Sequence, residues 1–346
     1  MKTVFYKSLV GIVLIALLYL LCNAIYRKIY WQEDLKKNDE HHLLEQFQNG
    51  VQQSDILYFA ESSNASFVPS DSIRKSISSL TNDYYPNLRI GAVEKGAMHA
   101  GIFKTLIRQI PDSSKVKAIV VTMNLRSFGI IWINSIYENY CEQLSILYSG
   151  DPPLYNKLRL VFKMYDYEED WQRKERWIKE FKDVKLKAPF PLKYQTIHQW
   201  DKELFALPDS ANYNKVLATQ FVKLFGFNID TVSNPRIKDF DEIVKICQKK
   251  NIHLYFNLLA ENTQAAQQLT GNELVQMMLI NKNLLIDRYQ KNGVTVVNNL
   301  QLVNDEDFTD RDFPSEHYDQ TGRQIIAANL AKALQKDFSQ YYKEPK

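Results

Sequence analysis

A serine early in the chain and a histidine near its end have the residue types and settings that acyl chemistry requires. A short apolar run over residues 55–60 is followed by Glu61 and then by Ser62 and Ser63. Attack on an ester carbonyl needs a nucleophile and a base that accepts its proton, and either serine could be the nucleophile. Of the six histidines, His317 alone lies in a polar loop directly before a helical pattern. His317 is therefore the best candidate for the base.

Two further residues could stabilise the oxyanion that such a reaction forms. Gly96 follows the second apolar run and Asn124 follows the third. A glycine lets a backbone amide approach a substrate closely, and an asparagine side chain can donate a hydrogen bond. Each residue alone has an ordinary alternative, because serine and glycine are common in turns and asparagine is a common helix N-cap. Their joint order along the chain favours the functional interpretation.

The elements that would position these residues alternate along the chain. The predicted strands are residues 55–60, 88–93, 118–123, 252–260 and 294–297. Amphipathic helical patterns lie between them, and this alternation predicts an α/β fold with a doubly wound, mainly parallel five-stranded sheet flanked by helices. Because the carboxyl ends of parallel strands meet at one edge of a sheet, Ser62, Gly96 and Asn124 are expected to converge there.

The alternation is interrupted between residues 150 and 234. A charged helical pattern, a loop with two prolines and a further mixed segment predict a mostly helical insertion within a domain over residues 54–346. The aromatic residues of the insertion are expected to form a small core of their own rather than a sugar-binding platform.

The beginning of the chain predicts a membrane anchor. Residues 9–25 carry no charge, and about 20 apolar residues are enough to cross a bilayer. We predict a tail over residues 1–8, a transmembrane helix over residues 9–26 and a polar stalk helix over residues 27–53. A cleaved signal peptide is the alternative, but no small-x-small cleavage site follows the apolar segment.

The charges around the anchor give opposing indications of its orientation. More basic residues follow the apolar segment than precede it: Arg27, Lys28, Lys36 and Lys37, against Lys2 and Lys7. A positive-inside count alone would keep the domain in the cytoplasm. Short N-terminal tails stay inside more often than they cross, so we expect an extracytoplasmic domain, in the periplasm or at the cell surface.

Composition argues against several other classes of function. The 346 residues are 45% hydrophobic and 24% charged, as in an ordinary globular protein. The net charge of +3 is too small to indicate nucleic-acid binding. The three cysteines lie far apart without a CxxC motif, which predicts neither a disulfide framework nor a zinc site. We expect no nucleic-acid partner, no metal and no cofactor.

The order of these motifs resembles that of the SGNH (GDSL-like) hydrolase superfamily. That family carries a Gly-Asp-Ser block on its first strand, a glycine after the second, a Gly-x-Asn-Asp block after the third, and an Asp-x-x-His block near the C-terminus. The corresponding positions here are residues 60–62, Gly96, residues 122–125 and His317. The resemblance implies that Ser62 is the nucleophile and His317 the general base. It also implies an oxyanion hole made by the amides of Ser62 and Gly96 and the side chain of Asn124.

The chain departs from the family pattern at three places. Ala60 and Glu61 replace Gly-Asp in the first block, and Leu125 replaces the second residue of Asn-Asp. The third departure is Pro314, which stands where the family has its acid, three residues before the histidine.

The missing acid leaves its replacement open. Asp312 could reach the imidazole if Pro314 turns the loop back, and Glu316 and Asp310 are the weaker alternatives. The acid of such a triad holds the correct imidazole tautomer and contributes much of the rate. If no carboxylate reaches the ring, the chain has a Ser-His dyad or is an inactive relative.

Three more polar residues are candidates for substrate binding. Arg126 follows Asn124 and could bind an anionic group, with a surface salt bridge as the alternative. Asn257 and Glu261 lie at the end of the strand after the insertion, where helix capping is the alternative.

An anchored domain of this kind is similar in layout to the teichoic acid D-alanylation protein and to the anchored partners of membrane-bound O-acyltransferases. The layout implies a serine esterase or O-acyltransferase that acts on acylated cell-envelope glycans or lipids, with a membrane-bound O-acyltransferase as a candidate partner. A catalytically inactive partner subunit of a membrane complex is the second hypothesis. An enzyme that faces the cytoplasm is the third.

Overall fold

The structure, a computed structural model, describes residues 2–38, 42–150, 152–182, 184–206 and 212–345. Parts of the predicted tail, stalk and insertion therefore lie outside the described residues. Within these ranges the strands are β1 Ile56–Ala60, β2 Ile90–Glu94, β3 Ala118–Met123, β4 His253–Leu258 and β5 Thr295–Asn298. They form one sheet in the order β2-β1-β3-β4-β5, and every pairing is parallel. The predicted α/β fold with a five-stranded parallel sheet is confirmed.

The two central strands carry the strongest sequence signal. Every side chain of β1 and β3 is buried, as expected for parallel strands covered on both faces. The strand order is that of flavodoxin-like folds, and it reverses between β1 and β3. In such sheets the crevice beyond the carboxyl ends of the strands at this reversal is the usual ligand site. Ser62 follows β1 and Asn124 follows β3, so both lie at that point.

The helices of the described residues are α1 Lys2–Ile29, α2 Trp31–Asn38, α3 Leu43–Gln53, α4 Ile77–Asp83, α5 Ala100–Arg108, α6 Ile130–Ile133, α7 Ile136–Leu147, α8 Pro153–Val161, α9 Asp170–Lys182, α10 Ile197–Ala206, α11 Asn212–Phe225, α12 Pro235–Lys250, α13 Thr263–Thr270, α14 Asn272–Lys291 and α15 Gln320–Phe338. They cover both faces of the sheet. Helices α4 and α15 pack against the face that carries Ile56 and Tyr58. Helices α3, α5, α12 and α14 cover the face of Leu57 and Phe59.

Helix α1 contains the candidate anchor. Val4–Ile29 is a 26-residue stretch that is long and apolar enough to cross a membrane. At about 1.5 Å per residue it is roughly 39 Å long, more than the roughly 30 Å of a hydrocarbon core. The predicted tail is already helical from Lys2 onward. The range predicted as one stalk helix contains the last residues of α1 and the whole of α2 and α3. Phe47 of α3 is buried against Phe59 of β1.

The insertion is helical over most of its described residues, in α8 to α11. Trp200, Phe221 and Phe225 are buried in the same hydrophobic cluster as Leu57 and Phe59 of the sheet. The expectation of a separate small core is therefore wrong for these residues, because the aromatic side chains of the insertion extend the main core.

Candidate active site

The chain after β1 exposes one serine and buries the next. Residues Ser62–Asn64 form a single 3-10 turn, and the carboxylate of Glu61 accepts a hydrogen bond from the Ser63 amide at 3.0 Å. The Ser63 hydroxyl is buried and also donates to Glu61. Ser62 is only half-buried and its side chain faces a cleft. Of the two candidate nucleophiles, Ser62 is therefore the accessible one.

His317 lies beside Ser62, although 255 positions separate them in sequence. The Ser62 Oγ atom is 2.9 Å from His317 Nε2. The other ring nitrogen, Nδ1, is 2.9 Å from the Oδ2 atom of Asp310. The Ser315 hydroxyl donates to the same carboxylate oxygen at 2.5 Å. A carboxylate that accepts the Nδ1 proton leaves the Nε2 lone pair free to accept the proton of Ser62.

The carboxylate on the imidazole belongs to Asp310, so the prediction of Asp312 is corrected. Phe308 and Tyr318 form an antiparallel bridge, and the Thr309 amide donates to the His317 carbonyl at 3.0 Å. This short ladder doubles the loop back on itself and sets Asp310 next to His317. Asp312 lies farther out, in the exposed part of the same loop.

The predicted oxyanion donors lie around Ser62. Gly96 and Ser62 line the same cleft as His317. Among the described residues, no hydrogen-bond partner is found for the amide of either Ser62 or Gly96. The side-chain oxygen of Asn124, an acceptor, is buried and has no partner within the described part of the chain. The NH₂ group of the same side chain is the part that could donate to an oxyanion. Polar groups without a partner are rare inside proteins and are expected where a ligand completes the hydrogen bonds.

The cleft has a volume of about 860 Å³. Beyond Ser62, Gly96 and His317, aromatic side chains form much of its wall: Trp132, Tyr137, Tyr140 and Phe313. The rings of Trp132 and Tyr137 stack with centroids 5.8 Å apart. Sequence reasoning missed these residues. For Trp132, Tyr137 and Tyr140 the available signal was the density of aromatic residues after β3.

Arg126 lines the cleft, but its guanidinium already has protein partners. It donates to the Pro314 carbonyl at 3.1 Å and lies 2.5 Å from a carboxylate oxygen of Glu316. The guanidinium also stacks over the Trp132 ring at 4.8 Å. Arg126 therefore connects the end of β3 to the loop that carries His317. Binding of an anionic substrate group by Arg126 stays a prediction.

The structure does not bring Asn257 and Glu261 to the cleft. Asn257 is buried within the sheet, where its amide donates to the Tyr58 hydroxyl at 3.0 Å and its oxygen accepts from Asn299 at 2.8 Å. Glu261 is 1% exposed and faces Glu316, which is fully buried. The prediction of both as substrate-binding residues is therefore corrected, because neither can touch a ligand in the cleft.

Two buried acids, Glu261 and Glu316, lie close to the site. Burial and the negative charge of Glu316 raise the pKa of Glu261 well above its ordinary value of 4.5. Burial raises the pKa of Glu316 as well, and the Arg126 guanidinium beside it opposes that rise. No group of three or more His, Cys, Asp or Glu side chains in the described part of the chain is arranged to hold a metal ion.

Comparison with known proteins adds little to this geometry. No family model and no curated protein sequence matches the chain. One similar solved structure is a mutant of an acetyl-xylooligosaccharide esterase from Geobacillus Stearmophilus, with 8% identity and a TM-score of 0.34 over 82% of this chain and 95% of that chain. Another crystal structure has 12% identity and a TM-score of 0.32 over 83% of this chain and 98% of that chain. Similarity at this level carries no argument about function.

Proposed function

We propose that this chain is a membrane-anchored serine esterase or O-acyltransferase. The observation that carries the proposal is the line of hydrogen bonds from Ser62 through His317 to Asp310, with 2.9 Å at each side of the imidazole. This is the arrangement in which a serine hydroxyl becomes a nucleophile at neutral pH.

The proposed reaction has two halves. The Ser62 oxygen attacks the acyl carbonyl while His317 Nε2 takes the hydroxyl proton, and Asp310 stabilises the imidazolium that forms. The amides of Ser62 and Gly96 and the side chain of Asn124 are the proposed donors to the oxyanion. His317 then gives the proton to the leaving alcohol. Water or a sugar hydroxyl resolves the acyl-enzyme, and the choice of acceptor separates hydrolysis from transfer.

The proposed substrates are acylated cell-envelope glycans or lipids. The anchor stretch Val4–Ile29 and the expected extracytoplasmic position of the domain support an envelope substrate. The aromatic wall of the cleft supports a substrate with an extended apolar or ring-shaped alcohol part. A membrane-bound O-acyltransferase is the proposed partner if the reaction is transfer.

A fluorophosphonate probe, which reacts with activated serines, tests this function. We expect the wild-type chain to be labelled and Ser62→Ala and His317→Ala to lose labelling entirely, because each removes one half of the nucleophilic pair. Ser63→Ala is the matched control and should keep labelling. Circular dichroism of each variant checks that the fold survives. Labelling that persists in Ser62→Ala would remove Ser62 from the mechanism.

A second candidate function is that of an inactive SGNH-like subunit in a membrane acyl-transfer complex. The observation in its favour is the Glu61 carboxylate, which lies 3.2 Å from the Ser62 hydroxyl oxygen. A negative charge there competes with His317 for the Ser62 proton and opposes an oxyanion nearby. No probe reaction in the wild type, together with a stable membrane partner in a pull-down, would decide for this function.

A further inference from the structure

Two spaces of very different size open beside Ser62. The first is the cleft of about 860 Å³ that also contains His317 and Asp310. The second is a smaller, partly open pocket of about 40 Å³, whose described lining includes Ser62 and Asn124 but not His317. A substrate held at Ser62 has two ends, so each space is a candidate for one of them.

The chemistry of acylation determines which end of the substrate lies in which of the two spaces. The bond from Ser62 Oγ to the carbonyl carbon forms as the hydroxyl proton passes to His317 Nε2. The bond from that carbon to the alcohol oxygen then breaks as His317 returns the proton to this oxygen. The alcohol must therefore lie beside the imidazole, in the cleft. The acyl group then points away from the imidazole, toward the small pocket and the proposed oxyanion donor Asn124.

The volume of the pocket limits what the acyl group can be. About 10–15 Å³ of such volume holds one water-sized group. A pocket of about 40 Å³ therefore holds roughly three non-hydrogen atoms. A carbonyl carbon, its oxygen and one methyl group fill it, whereas each further methylene needs space that the pocket does not have.

Two of the residues that line the pocket, His99 and Arg236, are polar and are held in place by buried partners. His99 accepts the Gly101 amide proton at Nδ1, 3.0 Å away, as the N-cap of α5. Its Nε2 atom lies 3.1 Å from the Glu138 carboxylate. Arg236, only 2% exposed, bonds to Glu138 and, at 2.8 Å, to Asp239. Displacing Arg236 would break buried ion pairs, and displacing His99 would break buried hydrogen bonds. Either change costs more than a methylene gains by burial.

We propose that this pocket is the acyl site and that it admits an acetyl group but no longer acyl chain. The inference rests on the proposed function, because it takes Ser62 as the nucleophile. It makes the acyl end of the substrate small and leaves the large cleft to the alcohol end.

The acylation half-reaction tests the size limit without knowledge of the natural acceptor. The purified full chain in detergent is mixed with p-nitrophenyl acetate, butyrate or hexanoate, and release of p-nitrophenol is followed through the first turnover. We expect the second-order rate constant for acetate to exceed that for hexanoate by about 100-fold or more. Intact mass spectrometry should show the acetyl group on the wild type and not on Ser62→Ala.

Two variants locate the limit within the protein. Met98 lines the pocket, so Met98→Ala should raise the hexanoate rate relative to the acetate rate by about tenfold. Phe313→Ala is the matched control, because Phe313 lines only the cleft of the two spaces, and it should leave this ratio unchanged. The wild-type ratio decides the question by itself if Met98→Ala does not fold.

The failures of the two proposals are distinguishable. Equal rates with all three esters, all abolished in Ser62→Ala, would overturn the acetyl site and keep the proposed function. No release above the Ser62→Ala level with any ester, together with no fluorophosphonate labelling, would overturn both.

Discussion

At the scale of single residues, the imidazole of His317 has two neighbours with separate tasks. Ser62 lies at Nε2 and Asp310 at Nδ1, each at 2.9 Å. The hydroxyl of Ser315 donates to the same carboxylate oxygen of Asp310 and helps to fix its position. Because the carboxylate only accepts hydrogen bonds, it keeps the ring proton on Nδ1, and Nε2 stays available as a base. The tautomer of His317 is thus set by Asp310.

Asp310→Asn should therefore slow acylation of Ser62. The asparagine amide can donate to Nδ1, which moves the ring proton to Nε2, where it blocks proton transfer from the serine. Loss of the correct tautomer costs a serine triad up to about 10⁴-fold, so we expect the rate constant for fluorophosphonate labelling to fall by roughly 10²–10⁴-fold. Time-resolved labelling with the purified chain measures it.

The matched control is Asp312→Asn, which removes the same charge two residues away in the same loop. Because Asp312 is exposed and Asp310 holds the ring, labelling should change less than about twofold, the size of a small surface electrostatic effect. An equal loss in both variants would show that loop charge, and not orientation of the ring, controls the rate.

The same residues show what the sequence can predict at this scale. Ser62 and His317 are predictable because each follows a recognisable strand or precedes a recognisable helix. The choice of Asp310 over Asp312 is not, since it depends on the bridge between Phe308 and Tyr318 that doubles the loop back. Nothing in the spacing of the acids specifies that bridge.

At the scale of elements, polar contacts connect the segments that follow β3, β4 and β5. Arg126 after β3 contacts Glu316 of the last loop, and Glu261 after β4 faces the same carboxylate. The Glu261 amide also donates to the Leu300 carbonyl beyond β5 at 3.0 Å. These contacts hold the His317 loop against the sheet, and the raised pKa of Glu261 favours its protonated form there.

The raised pKa of Glu261 makes the stability of the fold depend on pH. A carboxyl group with a raised pKa in the folded chain keeps a proton that the unfolded chain releases above about pH 4.5. Stability is therefore lost as the pH rises from about 4.5 toward the raised pKa. Glutamine stays uncharged and can still donate to Glu316, so Glu261→Gln should be more stable than wild type at pH 7, and this gain should shrink toward zero at pH 4.5. Urea unfolding followed by tryptophan fluorescence measures both values.

Glu306→Gln is the control for this experiment, because Glu306 is an exposed acid of the loop that carries His317. Its free energy of unfolding should stay within about 0.5 kcal/mol of wild type at either pH. A Glu261→Gln chain that is less stable than wild type at both pH values would mean that Glu261 is ionised in the folded state.

The strands are predictable from sequence, whereas the orientation of the side chains near their ends is not. The apolar runs of β1 and β3 give their bounds almost to the residue. Asn257, near the end of β4, looks like a residue at the rim of the sheet, yet its side chain bonds to Tyr58 and Asn299 inside the protein. Which polar residue faces inward depends on partners from other strands, and those pairings are long-range.

At the scale of the whole molecule, one core joins segments that look separate in sequence. Phe47 before the first strand, Phe59 in the sheet and Trp200 in the insertion belong to the same hydrophobic cluster. The stalk and the insertion are polar on average, so these few apolar residues do not stand out in the sequence. Sequence patterns therefore predict the layers of the fold but not how far its core extends, since burial depends on contacts made across long separations.

The orientation of the molecule across the membrane is the remaining prediction at this scale. Lys7 lies near the N-terminal end of the candidate span, and Lys36 lies beyond its C-terminal end. Both side chains are exposed. The basic residues after the span favour a cytoplasmic domain, but the short N-terminal tail favours the reverse, and an envelope substrate requires the domain outside.

In a Cys22→Ser background, we expect Lys36→Cys to react with a membrane-impermeant maleimide in intact cells and Lys7→Cys to react only after lysis. The buried Cys141 and Cys247 should contribute little labelling. The opposite pattern would place the domain in the cytoplasm and exclude envelope substrates, even if Ser62 proves to be reactive.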